Sequence, residues 1–190
     1  MSPAASFAIL RAKEAVFVRL FFGLQLPAHW RQALANQAAA LKKAGVKGTF
    51  TRPENYHLTL VFLGETERAE AAKRALRQVK GTPFPLRSAA PGCFSKKGGD
   101  IWWLGVEPSS ALIDLQHSLE TRLRAAGFPL EERPYRPHIT LARRVKGPSE
   151  LLGRVDLPPQ EALIHQLTLF SSERVDGVLR YLPLCHQSLM

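Results

Sequence analysis

The chain has 190 residues, 45% of them hydrophobic and 22% charged, and its net charge is +10. This length suits one domain with a sizeable core, and no apolar run approaches the roughly 18 residues of a membrane span. Two cysteines without a paired spacing predict a reducing compartment, by default the cytoplasm. The excess of Lys and Arg attracts polyanions, among which nucleic acid is the commonest partner.

Strands and helices alternate along the predicted chain. An extension over 1–15 precedes a domain over 16–184 and a tail over 185–190. The predicted strands cover 16–24, 56–63, 86–94, 101–106, 137–142, 166–170 and 178–184, the last two joined by a turn at Asp176-Gly177. Helices are predicted over 27–44, over 65–80 with Thr66 as a cap, and from Ser109 or Ser110 to Gly127. This order predicts an α+β fold with antiparallel sheets and helices on their outer faces.

One nine-residue pattern occurs twice. Arg52–Leu60 and Arg133–Leu141 both read R-P-x-x-x-H-[LI]-T-L, and their histidines, His57 and His138, lie 81 residues apart. Five matching residue types at one offset indicate a duplicated fold in which each half supplies one copy. On a strand, residues i and i+2 share a face, so each histidine projects beside its threonine, Thr59 or Thr140.

Two histidines and two threonines in one cleft suit the cleavage of a phosphodiester. Imidazoles titrate near pH 6.5, so one can act as a base towards water while the other, protonated, acts as an acid towards the leaving oxygen. Threonine hydroxyls can donate hydrogen bonds to the non-bridging phosphate oxygens. This scheme requires neither a metal nor a cofactor.

Alternative roles for these residues have less support. A single His-x-Thr on a strand is usually structural, but packing alone seldom selects the same polar pair twice. The other four histidines show no zinc-ligand spacing with one another or with the cysteines. A nucleophile elbow and a Walker phosphate loop are both missing from the sequence.

The paired motifs resemble those of the 2H phosphoesterase superfamily, and within it the RNA 2′,3′-cyclic phosphodiesterases, also called 2′-5′ RNA ligases. The likeness extends from about Val16 to Leu184. It includes Phe62-Leu63-Gly64-Glu65 after the first motif, a middle strand over 101–106, and Ala142-Arg143 after the second motif. It implies a bilobal fold of two pseudo-symmetric α+β halves around a central cleft.

The resemblance also implies roles for single residues. It makes His57 and His138 the acid–base pair, and it makes Thr59, Thr140 and Arg143 phosphate ligands. Phe62 and Arg136 are weaker candidates for substrate contact. It implies hydrolysis of RNA 2′,3′-cyclic phosphate ends to 2′-phosphates, and the family also joins RNA through 2′-5′ linkages. Which histidine is the acid does not follow from the sequence, although we prefer His57 as the acid and His138 as the base.

Two rival functions stay open. The chain could be a non-catalytic module that binds RNA ends or nucleotides, or a 2H enzyme for 2′-5′ oligoadenylate or small cyclic nucleotides. For the cyclic phosphodiesterase we expect a monomer without a membrane partner, whose substrate is RNA with 2′,3′-cyclic phosphate or 2′-5′ linked ends. Further basic residues are candidates for the approach of RNA: Lys42, Lys43, Lys96, Lys97, Arg133, Arg136 and Arg144.

Overall fold

A computed structural model of the chain describes residues 17–148, 150–153 and 158–190. The strands are β1 (Val18–Gln25), β2 (Lys47–Phe50), β3 (His57–Thr66), β4 (Phe84–Phe94), β5 (Asp100–Val106), β6 (His138–Lys146), β7 (Glu161–Ile164), β8 (Gln166–Val175) and β9 (Val178–Ser188). The helices are α1 (Ala28–Lys43), α2 (Ala69–Arg77), α3 (Ser110–Ala125) and the short α4 (Glu150–Gly153), and a 3₁₀ turn covers Pro53–Asn55. The extension predicted over 1–15 lies outside the described residues.

The strands form two antiparallel sheets, one in each lobe. The first-lobe sheet has the order β3-β1-β8-β9, and the second-lobe sheet has the order β2-β6-β5-β4-β7. In both lobes the motif strand pairs with the strand that precedes a sixteen-residue helix, β1 before α1 and β5 before α3. The motif strands β3 and β6 contact each other where the lobes meet. The predicted α+β fold with antiparallel sheets and flanking helices is therefore confirmed.

The two long helices follow the predicted apolar spacing. In α1 the side chains of Trp30, Leu34, Ala38 and Leu41 are buried. In α3 the leucines at 112, 115, 119 and 123 are buried, and the Ser109 hydroxyl accepts a hydrogen bond from the Leu112 amide at 3.4 Å. Gly45 and Gly127 follow these helices at φ of +88° and +77°, the left-handed backbone that favours glycine at a helix end.

Several predicted boundaries are corrected, and two strands were missed. The helix predicted over 65–80 is limited to Ala69–Arg77, because β3 continues to Thr66. Thr66 does not cap the helix, since its hydroxyl accepts from the amide of Arg68, the residue before the first helical one. The strand predicted over 178–184 continues further, since β9 pairs with β8 as far as Ser188. The short, largely exposed strands β2 and β7 were missed, since neither has a buried face that alternates over several residues.

The predicted turn at Asp176-Gly177 is confirmed. The β8–β9 turn has Asp176 at φ +51° and Gly177 at φ +75°, the pair of left-handed residues of a two-residue hairpin turn. No helix in the described ranges 17–148, 150–153 and 158–190 is long and apolar enough to cross a membrane.

Candidate active site

The two motifs adopt the same local structure in the two lobes. His57 begins β3 and His138 begins β6. The next residue, Leu58 or Ile139, is buried in the core, whereas each histidine and its threonine are only partly buried. The expected alternation is therefore present in both strands, with the histidine and threonine on the face away from the core.

A β-bulge interrupts both motif strands at equivalent positions. Along β1, Gly23 faces Thr59 and Phe22 faces Val61, so Leu60 has no register partner. Along β5, Trp103 faces Thr140 and Trp102 faces Ala142, so Leu141 is skipped in the same way. An extra residue on one strand reverses the side-chain alternation beyond it.

The bulges bring one further residue of each strand to the site. In a regular strand, a residue five positions after the histidine would point to the opposite face, towards the core. After the bulge, Phe62 is 44% exposed and Arg143 is exposed as well. Both side chains therefore lie on the same face as the histidines and threonines, as the family resemblance requires.

Backbone carbonyls fix the orientation of both imidazoles. His57 Nδ1 lies 2.7 Å from the Asn55 carbonyl oxygen, and His138 Nδ1 lies 2.7 Å from the Arg136 carbonyl oxygen. A carbonyl can only accept, so each Nδ1 carries its proton and donates it. The assignment leaves Nε2 of each neutral imidazole unprotonated, so Nε2 is the atom available for acid–base work.

The threonines have different partners in the two lobes. His57 Nε2 lies 2.9 Å from Thr59 Oγ1, so the threonine hydroxyl donates to the imidazole lone pair. In the second lobe, Arg143 Nη2 donates to Thr140 Oγ1 at 3.5 Å instead. The first lobe therefore presents a paired histidine and threonine, and the second presents a hydroxyl next to a guanidinium.

Aromatic side chains enclose His57. The His57 ring centroid is 4.7 Å from that of Phe21 and 4.9 Å from that of Tyr181, which meets it edge-on. Burial lowers the pKa of His57 to about 4, with smaller contributions from the charges of Arg143 and His138, against the opposing effect of the hydrogen bond to the Asn55 carbonyl. Arg143 and His138 lie on β6, the second-lobe strand that contacts β3.

His138 lies in a more open place. Its ring is edge-on to Phe94 at 5.0 Å and 5.9 Å from Trp103. Burial lowers the pKa of His138, with smaller contributions from Arg143 and Arg133, and the hydrogen bond to the Arg136 carbonyl opposes them. In the free protein both imidazoles are therefore neutral at neutral pH.

Two side chains that the sequence interpretation did not assign hold the motifs in place. Asn55, which is buried, donates through Nδ2 to the Leu179 carbonyl at 2.9 Å and accepts from the Tyr181 amide at 3.3 Å. The Tyr135 hydroxyl donates to the Thr59 carbonyl at 3.0 Å and so connects the segment before His138 to the other lobe. The motif block contained Asn55, but nothing in its spacing indicated a contact with β9.

The remaining predicted residues differ in how they relate to the site. Arg136 contacts His138 through its main-chain carbonyl. The guanidinium of Arg19 lies over the Phe62 ring, 5.0 Å from its centroid, in a cation–π contact. The repeated arginines, Arg52 and Arg133, form exposed salt bridges with Glu54 and Glu131.

Paired His-x-Thr strands at the junction of two α+β lobes define a class of phosphoesterases. The family model described as the 2′-5′ RNA ligase superfamily matches residues 28–176. The chain belongs to this superfamily, the 2H phosphoesterases, and is a phosphoesterase of that class.

Relatives and solved structures agree with this assignment. The chain is 32% identical over 163 residues to the RNA 2′,3′-cyclic phosphodiesterase of Thermotoga maritima, covering 82% of this chain and 87% of that protein. It is 30% identical over 173 residues to the protein of the same name from Escherichia coli K12, covering 87% and 93%. The crystal structure of E. coli LigT complexed with 3′-AMP matches with a TM-score of 0.77 and 30% identity, covering 92% of this chain and 99% of that one.

Proposed function

We propose that the chain hydrolyses the 2′,3′-cyclic phosphate at the 3′ end of RNA to a 2′-phosphate without a metal ion. The observation that carries this proposal is the pair of imidazoles whose Nδ1 atoms are held by carbonyls and whose Nε2 atoms are left for proton transfer. The names of the relatives supply the substrate, an RNA 2′,3′-cyclic phosphate.

The reaction uses the two histidines as a proton donor and a proton acceptor. One Nε2 takes a proton from water as the water oxygen bonds to phosphorus. The bond between phosphorus and O3′ breaks, and the other imidazole, as an imidazolium, protonates O3′. The phosphate then remains on O2′. A bound phosphodiester anion stabilises an imidazolium, so substrate binding favours the protonated form that the neutral free site lacks.

Three side chains are suited to the phosphate. Thr59 and Thr140 can donate to non-bridging oxygens, and Thr59 does so by exchanging its bond to His57 Nε2 for one to the substrate. Arg143 offers a planar guanidinium that can donate two hydrogen bonds to one phosphate. Among the residues that the structure describes, no group of three or more His, Cys, Asp or Glu side chains is placed to hold a metal ion.

Ligation is a second reaction that the same groups support. If the 5′-hydroxyl of another RNA attacks in place of water, the same bond to O3′ breaks and a 2′-5′ linkage forms. The family description, which names 2′-5′ RNA ligases, favours testing it. Adding an RNA acceptor with a 5′-hydroxyl to the hydrolysis assay would detect the longer product.

Product analysis tests the proposed function. Adenosine 2′,3′-cyclic phosphate and an RNA decamer with a cyclic phosphate end would be incubated with the protein after exhaustive treatment with EDTA, and 2′- and 3′-phosphate products would be separated. We expect 2′-phosphate products at a rate that EDTA does not change. Tight binding without turnover would identify a binding module instead. Activity that EDTA abolishes and a divalent cation restores would contradict the metal-independent mechanism.

A further inference from the structure

Seven exposed basic side chains gather at one end of the second-lobe sheet. They come from the end of α1, from β2, from the β4–β5 turn and from the end of β6. They are Lys42, Lys43, Lys47, Lys96, Lys97, Arg144 and Lys146. We call this surface the basic edge. Part of it was expected from the sequence to line the approach of RNA, but only the fold shows that these residues are neighbours.

Strand pairing makes the basic edge continuous. Lys47 on β2 is the register partner of Lys146 on β6. Arg144 Nη2 donates to the Thr49 hydroxyl at 2.9 Å. The β4–β5 turn, which carries Lys96 and Lys97, lies against Arg144, because a Cβ on Gly99 would come within 2.8 Å of the Arg144 carbonyl carbon.

Within the described part of the chain, the basic-edge side chains form no salt bridges. The salt bridges found there involve other basic residues. Lys42 lies over the ring of Phe50 at 5.0 Å rather than beside a carboxylate. Like charges that face each other across paired strands, as Lys47 and Lys146 do, destabilise a sheet. A bound polyanion would remove this repulsion.

A second bulge links the basic edge to the catalytic cleft. Lys47 and Thr49 face Lys146 and Arg143, so β6 contains one more residue than β2 over this interval. Arg144 lies in this interval with φ +54°, a left-handed backbone conformation that is strained for a residue other than glycine. The bulge leaves Arg143 and Arg144 exposed together, although neighbouring strand residues normally point to opposite faces.

We infer that the basic edge binds the phosphate backbone of single-stranded RNA while the 3′-terminal phosphate of that RNA lies between His57 and His138. The inference rests on the proposed function, because the reactive phosphate then ends the chain and all other phosphates extend from one side of it. Arg143 adjoins the terminal phosphate, and the path continues to Arg144 and Lys146, about 10 Å along the strand at 3.3 Å per residue. Contacts to phosphate alone make this binding independent of base sequence.

Another basic groove provides a comparison. It lies between α2 and α3 and includes Arg68, Arg74 and Arg122. These helices cover the core face of the first-lobe sheet, opposite the face that carries His57. Arg68 already donates to the carbonyls of Ala126 and Gly127 at the end of α3. This groove has no strand connection to the cleft.

Binding of a product-like RNA tests the inference. The ligand is a fluorescein-labelled single-stranded RNA decamer that ends in a 2′-phosphate, and anisotropy gives the dissociation constant from 50 to 200 mM NaCl. The triple variant Lys47→Thr/Arg144→Gly/Lys146→Thr removes three positive charges from exposed positions. We expect it to raise the dissociation constant about tenfold at 50 mM NaCl and to reduce the slope of log K against log salt by about 2, at about 0.7 for each phosphate that is no longer neutralised.

The matched control removes three positive charges from α2 and the residues that follow it. The variant Arg74→Gln/Arg77→Gln/Lys80→Gln has the same net charge as the basic-edge variant. Its three positions lie on α2 or just after it, on the side of the first-lobe sheet opposite to His57. We expect its dissociation constant to stay within about twofold of the wild-type value. If the basic-edge variant weakens binding by less than about threefold, or if the control weakens it equally, the inference is overturned.

Kinetics separate this inference from the proposed function. For the basic-edge variant we expect kcat/KM for a decamer with a cyclic phosphate end to fall about tenfold relative to kcat/KM for adenosine 2′,3′-cyclic phosphate, which has no upstream phosphates. An equal fall for both substrates would overturn the role of the basic edge. If wild-type protein hydrolyses neither substrate, the proposed function fails, while the anisotropy measurement still decides whether this surface binds RNA.

Discussion

The two lobes have the same motif but surround it differently. In the first lobe, His57 is enclosed by Phe21 and Tyr181, and its Nε2 accepts from Thr59. In the second lobe, His138 is more open, and Arg143 donates to Thr140. The difference teaches that a duplication need not give two equivalent histidines: the neighbours that each lobe supplies determine which imidazole is harder to protonate.

Removing either histidine is expected to have the largest effect. We expect His57→Ala and His138→Ala each to lower kcat/KM for adenosine 2′,3′-cyclic phosphate by about 10²- to 10⁴-fold, since each removes one proton-transfer group. His117→Ala, at an exposed position on α3, is the control and should leave kcat/KM unchanged. Steady-state kinetics with each folded variant would measure these effects. Near wild-type activity in either motif variant would contradict the shared site.

The burial of His57 should make the free energy of unfolding depend on pH. Because its folded pKa of about 4 lies below its unfolded value, the unfolded chain binds a proton first as the pH falls. The stabilisation is complete above about pH 6.5 and is lost progressively as the pH falls towards 4. Between pH 7 and pH 5 we expect His57 to account for about 2 kcal/mol of lost unfolding free energy.

Urea denaturation at both pH values would measure this loss. His57→Gln cannot titrate, so its unfolding free energy should fall by about 2 kcal/mol less than that of the wild type. His138→Gln, in the more open lobe, should give a smaller difference from the wild type. If the two variants behaved alike, the lobes would not differ in the way that the structure indicates.

The two residues that follow the bulges, Phe62 and Arg143, should contribute unequally to kcat/KM. We expect Arg143→Lys to lower kcat/KM about tenfold, because a point charge replaces a guanidinium that can donate two hydrogen bonds to one phosphate. Phe62→Leu should change it by no more than about threefold, since apolar contact with the substrate is largely kept. Kinetics on the mononucleotide substrate would compare them. A larger effect at Phe62 than at Arg143 would reverse the proposed polarity of the cleft.

A change next to His57 should shift the pH profile of kcat/KM. The profile is expected to be bell-shaped, with His57 as the base that sets the acidic limb near pH 4 and His138 as the acid that sets the alkaline limb below pH 6.5. These roles are the reverse of those preferred from the sequence. Phe21→Ala admits water beside His57, so its pKa should rise and the acidic limb should move up by about one pH unit. Phe94→Ala, beside His138, is the matched change and should move the alkaline limb instead.

The smallest expected effect concerns the left-handed residues in the two motif strands. The first lobe has Gly64 at φ +74°, whereas the second has Arg144 at φ +54°. Arg144→Gly relieves backbone strain, so we expect unfolding free energy to be unchanged or raised by up to about 1 kcal/mol. Lys146→Gly, where φ is not positive, should lower it by about 1 kcal/mol. Thermal and urea unfolding of both variants would compare them.

The sequence predicted what depends on local periodicity and on the repeat. The buried stripes of α1 and α3 and the turn at Asp176-Gly177 follow from spacing and turn chemistry, and the structure confirms them. The alternation of His57 with Leu58 also follows from strand geometry. These features depend on neighbours along the chain.

Features that depend on contacts between distant segments could not be predicted. The bulges at Leu60 and Leu141 form where β3 and β6 pair with β1 and β5. From the alternation along each strand alone, Phe62 and Arg143 would be predicted to face the core. The sheets also combine strands from both ends of the chain: β8 and β9 complete the first-lobe sheet, and β2 belongs to the second-lobe sheet. That arrangement places Tyr181 beside His57, a contact that no spacing in the sequence encodes.

The inequality of the two histidines is tested most directly by a pH titration of both by NMR in the free protein, with His57→Gln and His138→Gln used to assign the imidazole signals. We predict that His57 titrates near pH 4, that His138 titrates at a higher pH that is still below 6.5, and that both keep the proton on Nδ1 at pH 7. Two superimposable titrations near pH 6.5 would contradict this prediction, because the repeated motif would then supply two equivalent histidines.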